Sequence, residues 1–240
     1  VVDDILEAND VAKLHFGNGQ IFNWRGWDLL LERYDGQLPL RIKAVPEGTP
    51  VPTGNVLMTV ENTDPDFYWL TNFVESLLTH IWYPCTVATA SREVKKTLTA
   101  WAVLTGADPA GIDFQLHDFG YRSVTTDAAA EIGGAAHLIN FKGTDTLPAM
   151  VFARDHYQAD LSSLAFSVPA TEHSVMTSLG REGELQIVND LLDTYPTGII
   201  SVVADSYDIY NFVAQLCQEP LKQRILDRDG TFVVRPDSDD

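Results

Sequence analysis

TGIISVVADSYD, Thr197–Asp208, is the stretch whose reading decides the fold. Ile199–Val203 is a short apolar run rich in β-branched residues, the composition of a buried strand. The chain then turns polar at Asp205-Ser206 and enters a helical pattern at Ile209. Strand, polar end and helix in that order form one βα unit. The same unit recurs outward. Candidate strands are Phe114–Leu116, His137–Phe141, Ala165–Val168 and Phe232–Val234, and candidate helices are Asp127–Ala136, Leu147–Tyr157, Val175–Leu179, Glu182–Tyr195, Ile209–Glu219 and Leu221–Arg228. Such alternation predicts an α/β fold with a parallel sheet or barrel from Ile112 onward.

Toward the N-terminus the rhythm differs. Asp3–Leu14 and Trp27–Tyr34 read as helices, the second stopped by Asp35-Gly36. Leu40–Val45 and Val56–Val60 read as strands divided by turn-rich segments, followed by two long helices, Phe67–Trp82 and Thr86–Leu104, broken at Pro84. The expected organisation is an α+β domain over residues 1–111 and a βα part over 112–240.

Composition restricts function. The 240 residues are 45% hydrophobic with a mean hydropathy of -0.05, enough for one or two packed cores. Sixteen Lys and Arg against 34 Asp and Glu give a net charge of -18, a field that repels nucleic acid and anionic membranes. No apolar run approaches a bilayer span and no signal-peptide pattern opens the chain, so a cytoplasmic protein with neither nucleic-acid nor membrane partners is expected. Cys85 and Cys217, each in an apolar helical pattern, are expected as reduced core thiols.

Each candidate strand ends in polar residues: His117–Arg122, Lys142–Asp145, Glu172–Ser174, Asp205-Ser206 and Arg235–Asp237. In parallel α/β folds the C-terminal strand ends share one face, and that face carries the site. Dinucleotide, phosphate-loop, nucleophile-elbow and zinc motifs are all missing. Among the strand-end residues Arg122 and Arg235, the carboxylates Asp118, Asp145, Asp205 and Asp237, the Phe119 ring and His173 make a set suited to a phosphorylated sugar with magnesium and a flat heterocycle.

Several stretches carry a family resemblance: LHDFGYRS at 116–123, NFKGTDT at 140–146, SVPATEHS at 167–174, SVVADSYDIYN at 201–211 and VRPDS at 234–238. Others are KAVPEGTPVPTGNVLMTVENTDP at 43–65, YWLTNFVE at 68–75 and WYPCTVATASRE at 82–93. In these the chain resembles the nicotinamide phosphoribosyltransferases, type II phosphoribosyltransferases that join nicotinamide to phosphoribosyl pyrophosphate. The resemblance implies a partial α/β barrel preceded by an α+β scaffold and dimerisation domain, a homodimer with the site at its interface, Mg²⁺, and ATP as a coupled substrate in NAD salvage.

It also implies roles. Phe119 would stack on the pyridine ring, and Asp145 would accept from the carboxamide nitrogen. Ser201 and Arg235 would donate toward the carboxamide oxygen, and Ser167 joins the substrate-binding set. Arg122 would bind phosphate oxygens and Asp237 the ribose hydroxyls. His173 would take a phosphoryl group from ATP, its imidazole oriented by Asp205. Members of this family are about twice as long, so a fragment of a longer product, or a chain completed by another, is expected. The alternatives are a nicotinate phosphoribosyltransferase and a non-catalytic subunit.

Overall fold

The structure, a computed structural model, describes residues 2–238. Contacts divide the chain into two compact units: one runs to Phe141 and includes Thr146–Ala159, and the other comprises Lys142–Asp145 and the chain from Asp160 onward. The helices just beyond Gly111 pack on the preceding long helix, within the first unit.

The first unit begins with α1 (Val2–Phe16), acidic in its first turn and basic in its last, as the helix dipole favours. In α2 (Trp24–Tyr34) the Asn23 side chain accepts from the Gly26 N–H, and the helix ends with Asp35 in the left-handed region at φ 50°. An antiparallel pair follows, β1 (Leu40–Ala44) and β2 (Met58–Asn62), with Leu40 opposite Asn62 and Ala44 opposite Met58. Leu30, Phe67 and Leu70 form a fully buried cluster. Edge-to-face rings border it, Trp27 on Trp69 at 4.9 Å and Tyr34 on Phe67 at 5.5 Å.

α3 (Leu70–Leu78) and α4 (Trp82–Thr105) are the two long helices of the sequence, but Pro84 does not break them. It lies in the first turn of α4, where a missing N–H costs no helical hydrogen bond, and a 3₁₀ turn at Thr79–Ile81 makes the break. α5 (Asp127–His137) starts at Thr126, whose hydroxyl accepts from the Ala129 N–H, and packs on α6 (Leu147–Tyr157). That approach needs Gly134: a Cβ there would lie 2.5 Å from the Ala149 Cβ.

Two expected strands are corrected here. Phe114 ends a 3₁₀ helix, Pro109–Phe114, leaving only the two-residue strand β3 (His117–Asp118). His137–Phe141 is the end of α5 and a turn rather than a strand. Tertiary bonds hold that turn. Ser91 Oγ meets His137 Nδ1 at 3.1 Å, the Lys95 ammonium donates to the Asn140 carbonyl at 2.6 Å and to Asp113 at 2.7 Å, and Phe141 stacks on His137.

The second unit has the expected βα order: β4 (Gly143–Thr144), α7 (Leu161–Leu164), α8 (His173–Met176), α9 (Glu184–Thr194), β5 (Thr197–Val203), α10 (Ile209–Leu216), α11 (Leu221–Leu226) and β6 (Asp229–Arg235). β5 and β6 are parallel, with Thr197 opposite Asp229 and Val203 opposite Arg235. Parallel bridges join Gly143 to Phe166 and Ala170 to Ser201. The Ala165–Val168 region is thus represented by a single bridge, at Phe166, rather than a full strand. Ile200, Val202, Val203 and Ala204 are buried against Met176, Val188, Leu192, Phe212 and Leu216, one contiguous core.

Cys85 and Cys217 are free thiols, as expected, but exposed rather than in the core. Cys85 lies in the first turn of α4 and Cys217 caps α10, both outside the buried faces of those helices. Among the described residues no helix is long and apolar enough to cross a membrane.

Candidate functional site

β5 and β6 end side by side, and their polar ends meet the loop that opens α8. His173, the first residue of α8, lies with Nε2 at 3.1 Å from Asp205 Oδ1 and Nδ1 at 3.6 Å from Asp237 Oδ2. One imidazole therefore stands between two carboxylates. Asp205 Oδ2 accepts the backbone N–H groups of Asp237 and Ser238, both at 2.6 Å. Burial opposes the charged form of Asp205, but those two N–H donors and the His173 ring outweigh it and hold the carboxyl at about 2. Asp205 is thus an anionic acceptor across the neutral pH range. Fixed by the loop behind it, it can set the orientation and tautomer of the ring in front of it.

Arg235, the last residue of β6, has Nε at 3.4 Å from Asp237 Oδ1 and donates through Nη2 to the Thr171 carbonyl at 2.5 Å. Ser201 is buried on β5, where its N–H donates to the Pro169 carbonyl at 2.9 Å. Ser167 donates its hydroxyl to Asp145 Oδ1, and both residues are exposed. The second unit thereby joins His173, Asp205, Asp237 and Arg235 directly, and pairs Asp145 with Ser167.

Phe119 and Arg122 belong to the first unit. Phe119 is 52% exposed, its ring tilted against His117 at 4.5 Å. The loop is braced from both sides of that ring. Asp118 Oδ1 accepts the Gly120 N–H at 2.7 Å, and the Tyr121 hydroxyl donates to Asp127 at 3.0 Å, which raises the Tyr121 phenol pKa. Arg122 is exposed and forms no ion pair or hydrogen bond among the described residues, so its guanidinium is open to an anion. Beside the loop lies an open cavity of about 270 Å³, bounded by Tyr83, Val87, Gly133 and His137.

Among the described residues no three His, Cys, Asp or Glu side chains group as a metal site. Both oxygens of Asp205 are engaged, and Asp237 faces a histidine and an arginine. These residues do not make a resident magnesium cage.

Sequence reasoning missed Thr171. A lone threonine in a loop carries no signal of its own, yet it bonds to both strands that bear the site.

A parallel-stranded α/β unit whose strand ends carry a carboxylate-flanked histidine and an arginine defines the class, an α/β protein with a charged site at its strand ends. Comparison narrows it. Residues 114–240 match the model of the nicotinate phosphoribosyltransferase family, and residues 1–42 match the nicotinamide phosphoribosyltransferase N-terminal domain. The chain belongs to the nicotinate phosphoribosyltransferase family. It is 45% identical over 237 residues to a nicotinamide phosphoribosyltransferase of Xanthomonas campestris, covering 98% of this chain and 50% of that one. Proteins of the same name match from Acinetobacter baylyi (40% identity, 85% of this chain and 42% of that one) and Mycoplasma pneumoniae (33%, 84% and 43%). The chain spans about half the length of the curated relatives it matches. The resemblance read from the motifs is borne out.

Proposed function

We propose that this chain carries the nicotinamide- and histidine-bearing part of a phosphoribosyltransferase that joins nicotinamide to phosphoribosyl pyrophosphate. The observation that carries the reading is the His173 ring between Asp205 and Asp237 in a chain whose relatives bear that enzyme's name. In the reaction the pyridine nitrogen bonds to ribose C1 while the C1–O bond breaks and its electron pair leaves with pyrophosphate, giving nicotinamide mononucleotide. The nucleophile needs no base, so the protein contributes position and charge. Phe119 stacks on the ring and Asp145 accepts from the carboxamide nitrogen, its carboxylate aimed by the Ser167 hydroxyl. Ser201 and Arg235 face the carboxamide oxygen, Arg122 takes phosphate oxygens, and Asp237 turns to the ribose hydroxyls. Magnesium enters with the pyrophosphate of the substrate.

His173 accepts the γ-phosphoryl group of ATP on a ring nitrogen, releasing ADP, and its hydrolysis drives the transfer. Asp205 keeps the ring oriented throughout. The wider organisation belongs to the same proposal: an α+β scaffold and dimerisation domain over 1–111, the first half of a barrel over 112–240, a homodimer and a cytoplasmic location. The test is the intact protein supplied with nicotinamide, phosphoribosyl pyrophosphate, Mg²⁺ and ATP. Nicotinamide mononucleotide and His173-dependent ADP release are expected; neither product forming would overturn the reading. The family model is described by nicotinate, which favours one second reading, the acid as substrate. Asp145→Asn separates the two: it should weaken preference for the amide, and an unchanged amide-to-acid ratio removes Asp145 from that role.

A further inference from the structure

Thr171 is 5% exposed, and its backbone and side chain are tied to two strands. Its N–H donates to the Ser201 carbonyl at 2.9 Å, its hydroxyl accepts the Val203 N–H at 2.9 Å, and its carbonyl accepts Arg235 Nη2 at 2.5 Å. Ser201 in turn donates its N–H to the Pro169 carbonyl, so residues 169–171 run along β5 as a short parallel segment. Two residues on stands His173.

One buried residue therefore touches the main chain of Ser201 and the guanidinium of Arg235, and fixes the start of the loop that presents His173 to Asp205. A β-strand N–H bonded by a side-chain hydroxyl is unusual among these contacts. The other bonds of the segment are made by backbone or by Arg235, whereas this one depends on residue type. Without the hydroxyl, the Val203 N–H is left facing a buried gap that only a shift of the segment can close.

We propose that Thr171 is a positioning residue for the histidine site: its hydroxyl on the Val203 N–H sets the register of the 169–173 segment and hence the His173–Asp205 contact. The inference rests on the proposed function for its catalytic consequence, but its structural part does not. Thr171→Val keeps volume and β-branching while removing the hydroxyl, and Thr171→Ser keeps the hydroxyl.

The experiment compares the intact wild-type protein with both variants by two readouts. The first is the ¹H–¹⁵N spectrum of the histidine rings, with His173 assigned by His173→Gln. The second is turnover with nicotinamide, phosphoribosyl pyrophosphate and ATP. Thr171→Val should move the His173 ring resonances and lower kcat by up to about a hundredfold, the scale of a small misplacement of a reacting group, with KM for phosphoribosyl pyrophosphate little changed. Thr171→Ser should restore the wild-type spectrum and most of kcat. Unmoved His173 resonances in the valine variant, or a serine variant that behaves like valine, would overturn the proposal. If the valine variant does not fold, the Val203 amide decides: slow hydrogen exchange in wild type and Thr171→Ser supports the bond, and fast exchange in both overturns it. A wild-type protein that makes no nicotinamide mononucleotide overturns the proposed activity and leaves the ring spectra to judge Thr171.

Discussion

The two compact units hold their candidate residues in different ways. In the second, His173, Asp205, Asp237 and Arg235 sit where parallel strands leave a contiguous core of Ile200, Val202, Val203, Val188 and Phe212, and they bond to one another. In the first, Phe119 and Arg122 ride on a short loop braced by two local hydrogen bonds, from Gly120 to Asp118 and from Tyr121 to Asp127. A strand end transmits core rigidity to a charged constellation; a braced loop leaves an aromatic face and a guanidinium exposed for a ligand to meet. In the proposed function, groups that act together on a phosphoryl group need the first kind of support, and a stacking ring tolerates the second.

The largest test of this contrast is Phe212→Ala. Deleting a fully buried ring from the second unit's core should cost about 3–5 kcal/mol. Hydrogen-exchange protection should fall at residues 197–203 and 229–235, and the His173 ring spectrum should broaden, while α5 and α6 keep their protection. Loss of protection spread equally through both units would erase the distinction. Gly134→Ala probes the first unit in the same way. Its Cβ would meet Ala149 at 2.5 Å, so α5 and α6 must part, at a cost of about 1–3 kcal/mol. Denaturant unfolding followed by Trp fluorescence measures it, and an unchanged midpoint would show that the α5–α6 contact yields freely.

Acid sharpens the comparison. Asp205 has a folded pKa of about 2, below the roughly 3.9 of an unfolded aspartate. The stability it contributes, at most about 2.6 kcal/mol, is therefore fully present above about pH 5 and is lost as pH falls through about 2. An acid titration of wild type against Asp205→Asn should show the variant with a flatter acid limb in the second unit; superimposable limbs would refute the assignment. The smallest effect is expected at Tyr121→Phe, which removes one exposed hydrogen bond worth about 0.5–1 kcal/mol. Global stability should hardly move, while exchange at Gly120 and Arg122 quickens. A large loss of stability would show that the Phe119 loop is part of the core.

The legible parts of the fold are those with local causes. β5 and β6 are readable because Ile199–Val203, with four β-branched apolar residues about Ser201, and Phe232–Val234 have strand composition, and α2 because Asp35-Gly36 is a left-handed stop. His137–Phe141 misled because His-Leu-Ile-Asn-Phe suits a strand, whereas Ala88, Ser91 and Lys95, more than 40 residues away in sequence, bond to it as a helix end and turn. Pro84 looked like a breaker because its position within the helix depends on where the preceding turn closes. At the site, the motifs named His173, Asp205, Asp237 and Arg235, but not that Asp205 also caps the 237–238 loop, nor that Thr171 joins Ser201, Arg235 and Val203.

The sequence by itself determined the βα rhythm, the acidic surface and the chemical types of the site residues, since periodicity, charge and side-chain chemistry are carried by single residues and near neighbours. Only the tertiary structure decided which carboxylate touches which ring nitrogen, which strand ends adjoin, and which threonine bonds to both strands. Those are distances between groups some 30 to 65 residues apart, and they follow from core packing and backbone hydrogen bonding across strands.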